Sequence, residues 1–275
     1  MGSWITKIAV IVFALIWLTA AWIYVSSMRM IDRQYVPVSR NLSSVSDPRR
    51  LAEGERLANI FGCADACHGD RMQGAVIYEH PLNGRLVAPN LTRAVRERTL
   101  PELEAIVRQG INPDGTSVFG MPSSSYAVMT DDDLSAILGY IRQYPLQPSA
   151  PGESDYGLLT RWKIVNGELA VQAENNIHQP WRNTFRNNET RLGEYLALLA
   201  CSDCHGADLE GIPGLAPSLD RIHDYDEFEF VDLLQRGMAP GERPLALKQE
   251  VAQRRFSLLT EDEMDALFVF LKTRP

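Results

Sequence analysis

Positive charge is in short supply in this chain. Its 275 residues carry 27 Lys and Arg against 35 Asp and Glu, a net charge of −8. That excludes the basic surface needed to neutralise nucleic-acid phosphates, and suits a partner that presents a positive face. Histidine and cysteine are scarcer still, at five and four residues. There is no Ser-His-Asp arrangement, no phosphate-binding glycine loop and no flavin or nicotinamide fingerprint. Nor does any stretch alternate apolar and polar residues as a half-buried strand should, so an all-α fold is expected.

What is present begins with an apolar run. Ile8 to Val25 contains no charge, close to the roughly 20 residues that cross a bilayer as a helix. Trp4 lies at one end and Trp22 and Tyr24 at the other, as aromatic residues do at membrane interfaces. No A-x-A-like cleavage site follows, so an uncleaved single-span anchor is expected rather than a signal peptide. Flanking charge is ambiguous. Lys7 precedes the run while Arg29, Arg33 and Arg40 follow it, which by the positive-inside tendency would hold the bulk of the chain in the cytoplasm.

Beyond the anchor the sequence repeats itself, the signature of duplicated units. "GERLANIFGCADACHGDRMQG" answers to "GEYLALLACSDCHGADLEG", with His68 to Gly74 spaced as His205 to Gly211. "APNL" at Ala88–Leu91 matches "APSL" at Ala216–Leu219. Then come helical stretches ending at Gly110 and Gly237, and final helices opening at Thr130 and Thr260. Each of those threonines stands three residues before a carboxylate, Asp133 or Glu263, as an N-cap does. "DDD" at 131–133 complements a helix dipole and is not a metal site. The expected organisation is an anchor over 1–28, a tether over 29–47, a first domain over 48–145, a linker and interdomain segment over 146–187, and a second domain over 188–275.

All four cysteines lie in two motifs, "CADACH" at 63–68 and "CSDCH" at 201–205. C-x-x-C-H is the attachment signature of c-type haem. Cys201 and Cys204 would form thioethers with the haem vinyl groups, and His205 would ligate iron from the same turn. A redox dithiol rarely has the adjacent His, and a zinc site would need four ligands. Cys63, Cys67 and His68 carry one residue too many between the thiols, but the surrounding repeat argues for the same chemistry with a bulged turn. Two covalently bound haem c groups are expected, and their attachment outside the bacterial cytoplasm overrides the charge bias. The haem domains are therefore expected on the periplasmic side of the inner membrane.

Over roughly 50–145 and 190–275 these motifs resemble the class I c-type cytochromes, in particular membrane-anchored dihaem members with two tandem domains after one transmembrane helix. The resemblance implies that the carbonyls of Pro89 and Pro217 orient the proximal histidines, and that Met121 is the distal ligand of the first haem. In the second domain the position equivalent to Met121 is Lys248. Met238, an open iron and His223 compete with it, whereas Met264 aligns with core. His80 and His178 are expected to be surface or loop residues.

The function implied is single-electron transfer as a subunit of a respiratory or photosynthetic membrane complex. Partners would be integral redox subunits and a basic soluble cytochrome. The alternative is a dihaem enzyme, of peroxidase or thiosulfate dehydrogenase type, acting at the second haem.

Overall fold

The computed structural model describes residues 2–38, 42–64, 67–149, 151–176, 189–241, 243–244 and 246–274. The apolar N-terminal run is helix α1, Gly2–Ile31. Most of its side chains are exposed, from Ile8 to Trp17 and Leu18, so it is not the buried core helix of a water-soluble fold. Beyond it the chain is laid along the protein. Tyr35 N–H bonds to the Gly115 carbonyl at 2.8 Å, and Val38 exchanges two hydrogen bonds with the Gln109 amide.

Asp47 caps α2, Pro48–Ile60, with Pro48 in its first turn. This helix crosses α6, Asp131–Gln143, at Gly54, where an added Cβ would lie 2.1 Å from the Ala136 carbonyl oxygen. Between them come α3, Leu91–Glu97, and α4, Leu100–Glu104, which continues through a wider turn to Gln109. Gly110 closes that turn at φ 68°, the left-handed conformation glycine favours. A short α5, Ser123–Tyr126, precedes α6. Thr130 accepts from Asp133 N–H to cap α6 as expected.

The chain is mostly helical, but the expectation of no strands is corrected. β1, Ala75–His80, pairs antiparallel with β2, Gly84–Ala88, and β3, Asp155–Tyr156, adds to the far edge of β2. The register shifts between Val76 and Tyr78, and this bulge breaks the two-residue period that would have revealed a strand. The Pro-rich segment after α6 is thus pinned at its end as an edge strand. It leads into α7, Leu158–Val165, which packs along α1, and α8, Gln172–Asn176, which packs against the first half.

The second half has its own series of helices. α9, Glu189–Leu196, runs through a wider turn to Cys201 and then α10, Ser202–His205. A 3₁₀ turn, Leu219–Asp224, leads to α11, Glu227–Arg236, which ends at Gly237 with φ 68°. The strands β4, Met238–Ala239, and β5, Arg243–Pro244, are followed by α12, Ala246–Arg254, and α13, Glu261–Thr273. α9 crosses α13 at Gly193, where a Cβ would lie 2.0 Å from the Ala266 carbonyl oxygen. Thr260 and Glu263 complete the expected capping box. One apolar core runs through both halves without a break, from Leu57 and Phe61 to Tyr195, Phe230 and Leu267.

Candidate haem-attachment sites

The C-terminal end of α2 delivers the first motif. Phe61 stops the helix and Gly62, at φ 75°, turns the chain into Cys63. Cys63, Cys67, His68 and Met121 all line one cavity of about 320 Å³. Its walls are apolar, with Leu91, Val95, Leu103, Val107, Leu138 and Ile141 among them. Pro89 lines it too, and its carbonyl accepts a hydrogen bond from the buried His68 Nδ1 at 2.8 Å. That bond fixes the tautomer, with the proton on Nδ1 and the lone pair on Nε2. Burial lowers the His68 pKa, against the pull of the Pro89 carbonyl, and so favours the neutral imidazole a metal requires.

The thiols fit attachment better than redox exchange. Burial pushes Cys63 up to about 12 and raises Cys67, although the Cys67 side chain is exposed, whereas an exchanging dithiol needs a low-pKa thiolate. Among the described residues no three His, Cys, Asp or Glu converge as a zinc site would need. Two thiols, a neutral imidazole and a thioether around an apolar cavity fit a covalently held haem.

Met121 reaches the rim from a tight turn. Gly120 precedes it at φ 81°, Ser123 N–H bonds back to its carbonyl at 2.9 Å, and Ser123 Oγ ties the turn to the Ile106 carbonyl at 3.0 Å.

The second motif shares the local geometry. His205 Nδ1 faces the Pro217 carbonyl at 2.7 Å. Gly74 N–H bonds to the His68 carbonyl and Gly211 N–H to that of His205, both at 2.8 Å. Four residues after each histidine stands a non-glycine residue at positive φ, Met72 at 56° and Leu209 at 64°. The carbonyl of each accepts from the backbone N–H at the start of the next helical segment, Leu91 or Leu219, at 2.9 Å. Cys201 is buried, and Cys204 and His205 are half-buried.

The candidates for the second distal position are placed differently from Met121. Lys248 lies in α12, with its side chain outside the described residues. Met238 is half-buried in β4, its sulfur 3.7 Å from Gln249 Nε2. Met264 is buried on α13, as its alignment with core implies. His223 is exposed, with Nε2 3.1 Å from the Leu271 carbonyl. His80 is exposed on β1 and its ring accepts from Leu82 N–H. His178 lies outside the described residues.

Three residues at the join of the two halves escaped the sequence reading. Asp203, inside the second motif, lines the cavity of the first, and burial raises its pKa against the opposing charge of Arg255. Arg255 is itself buried and donates from Nε to the Ile60 carbonyl at 3.0 Å. Tyr126 bonds to the Phe61 carbonyl at 2.9 Å and lines the same cavity. Asp203 at least stands inside a motif, whereas nothing in the sequence marks Arg255.

Residues 49–141 match the family described as cytochrome c oxidase, cbb3-type, subunit III. Among curated proteins, the chain is 26% identical over 174 residues to the cytochrome c subunit of alcohol dehydrogenase (quinone) from Gluconobacter oxydans (strain 621H), covering 58% of this chain and 36% of that one. It is 22% identical over 261 residues to the fructose dehydrogenase cytochrome subunit of Gluconobacter japonicus, covering 82% and 52% respectively. With the gluconate 2-dehydrogenase cytochrome c subunit of Pantoea cypripedii it shares 26% over 189 residues, 64% of this chain and 42% of that one. The chain therefore spans about half the length, or less, of these relatives. A family match across the first attachment turn, and relatives bearing the cytochrome name across most of the chain, agree with what His68 and Pro89 imply: over these stretches the chain is similar to c-type cytochromes.

Proposed function

We propose that this is a membrane-anchored dihaem c-type cytochrome that passes single electrons as a subunit of a membrane-bound dehydrogenase complex. The observation that carries it is the cavity where Cys63, Cys67, His68 and Met121 meet, which Asp203 of the second motif also lines. A haem held at each motif would supply reversible one-electron chemistry. Contacts between the two motif segments support reading them as neighbouring sites. Ser202 Oγ, in the second attachment turn, donates to Ser125 Oγ at 2.7 Å, and the Phe61 and Tyr195 rings meet edge to face at 6.2 Å. Tandem domains over 48–145 and 188–275 are our reading of the repeated geometry. α1 would hold both on the periplasmic side of the bacterial inner membrane.

A Met121 thioether favours ferrous iron, whereas an amine ligand from Lys248 would favour ferric. Electrons are then expected to enter at the second half and leave from the first. The dehydrogenase partner follows from the three relatives named above, each a cytochrome subunit of such an enzyme. A terminal oxidase is the second reading, carried by the family description that matches residues 49–141.

The test is stoichiometry. Haem released from the full chain, quantified against protein, should give two equivalents. Cys63→Ser with Cys67→Ser should remove one and leave the other. One equivalent in the unaltered chain overturns the dihaem reading. The two partner readings separate by which complex co-purifies with the chain from native membranes.

A further inference from the structure

Helix α7 wears its hydrophobicity on the wrong side for a water-soluble protein. Thr160 and Ile164, at 1% and 0% exposure, face inward, while Leu158, Leu159 and Trp162 stand 42–44% exposed. At about 100° per residue, positions 158, 159 and 162 share one arc of the helix, and 160 and 164 lie opposite. Leu159 N–H bonds to the Leu82 carbonyl at 3.0 Å, which brings the exposed Leu82 to the start of that face. Lys163, exposed, flanks it.

The position of this helix says what covers it. α7 packs along α1 through Arg161, whose guanidinium carbon lies 4.4 Å from the centroid of the Tyr24 ring and whose Nη1 donates to Ser27 Oγ at 3.0 Å. A further bond from Nε to the Tyr156 carbonyl, 2.9 Å, fixes the side chain in place. Ile23 and Ser27 are the buried positions of α1, so the contact lies at the end of the charge-free run Ile8–Val25. A span of about 20 residues brings the helix to the far edge of the hydrocarbon at that point. Tyrosine, tryptophan and a flanking lysine are the residues that settle at this boundary.

We infer that α7 is a second membrane contact, an interfacial helix that lays Leu158, Leu159 and Trp162 into the boundary between headgroups and acyl chains. The inference rests on the reading of α1 as the membrane anchor. Its consequence is orientational. A single span leaves the haem domains free to swivel, whereas a helix docked on that span and seated in the same leaflet holds them at one tilt.

The test uses the full haem-loaded chain in vesicles of phosphatidylcholine and phosphatidylglycerol, with no partner protein. Trp17→Cys and Trp162→Cys variants carry a fluorophore, the native cysteines being held as thioethers. Lipids brominated close to the headgroup should lower the emission of the label at 162 about twofold relative to unbrominated lipid. Deeply brominated lipids should quench the label at 17 more strongly than that at 162. Replacing Leu158 and Leu159 with Ser should reduce quenching at 162 and leave 17 unchanged. Quenching at 17 without quenching at 162 overturns the inference and leaves the anchor standing. Absence of quenching at both positions overturns the anchor reading as well.

Discussion

Arg56 and Glu263, more than two hundred positions apart, meet fork to fork through hydrogen bonds of 2.7 and 2.8 Å. The pair crosses from α2 in the first half to α13 in the second, and Glu53 grips the same guanidinium from its other edge. Both side chains are largely withdrawn from water, at 21% and 8% exposure, so the pair escapes the screening that makes surface ion pairs weak. Glu263 also accepts from Thr260 N–H at 3.0 Å and so closes the cap of α13.

Removing either partner strands the other. Arg56→Ala is expected to cost about 2 kcal/mol, and Glu263→Ala about 3 kcal/mol because the cap goes with the ion pair. A double-mutant cycle by thermal or denaturant unfolding should show a coupling of about 1–2 kcal/mol. Additive losses would mean that the two halves are not joined through this pair.

Gly54 and Gly193 make matched predictions. In each half the first helix crosses the last so closely that a methyl group would lie 2.1 or 2.0 Å from a carbonyl oxygen, of Ala136 or Ala266. Neither backbone can retreat without separating the helices, so each Gly→Ala change should cost about 3 kcal/mol, the upper range for overpacking. On the proposed dihaem reading, the spectroscopic consequences should separate by half, Gly54→Ala disturbing the haem of the first motif and Gly193→Ala that of the second. A tolerated alanine at either position would show that the crossing is looser than this geometry.

Much of this was legible because the repeat in the sequence let one half interpret the other. The repeat picked out "CADACH" despite its extra residue, and it paired Pro89 with Pro217 and Gly110 with Gly237. The caps at Thr130 and Thr260 are local, and local chemistry can be read from a single stretch. The β-hairpin was missed because its bulge at Val76–Tyr78 destroys the alternation. Asp203, Arg255 and Tyr126 were missed for a different reason. Their roles depend on how two halves distant in sequence pack together, and no periodicity reports that. Tyr195 in the first helix of one half and Asp133 in the last helix of the other bond at 2.5 Å, yet nothing in either segment announces the partner.

The proposed ligand set predicts a divided response to substitution. Met121→Ala should abolish the thioether signature of one haem in near-infrared magnetic circular dichroism and lower its midpoint potential, with the second haem unaffected. Lys248→Met should convert an amine-type signal at the second haem into a thioether-type one and raise its potential. A potentiometric titration of the unaltered protein in which the haem of the second motif has the higher potential would reverse the proposed direction of electron flow. An unchanged signal in Lys248→Met would pass the distal role to Met238 or to an open site.

Alkaline pH should loosen the join between the halves. Tyr126 and Tyr195 are buried phenols whose pKa values burial raises well above 10, with Asp203 and Asp133 respectively adding repulsion. In the unfolded chain a tyrosine ionises near 10. Above that pH the unfolded state has lost protons that the folded state keeps, so stability falls as pH rises. The contribution is fully present below about pH 10 and declines by about 1.4 kcal/mol per pH unit for each phenol, until the folded pKa is reached. Tyr195→Phe should cost about 1–2 kcal/mol at neutral pH through its lost bond to Asp133. The same change should flatten the slope between pH 10 and 11 by about 1.4 kcal/mol per unit. Denaturant unfolding across that range checks both effects. A variant as pH-sensitive as the parent would mean that Tyr195 is not held neutral at the join.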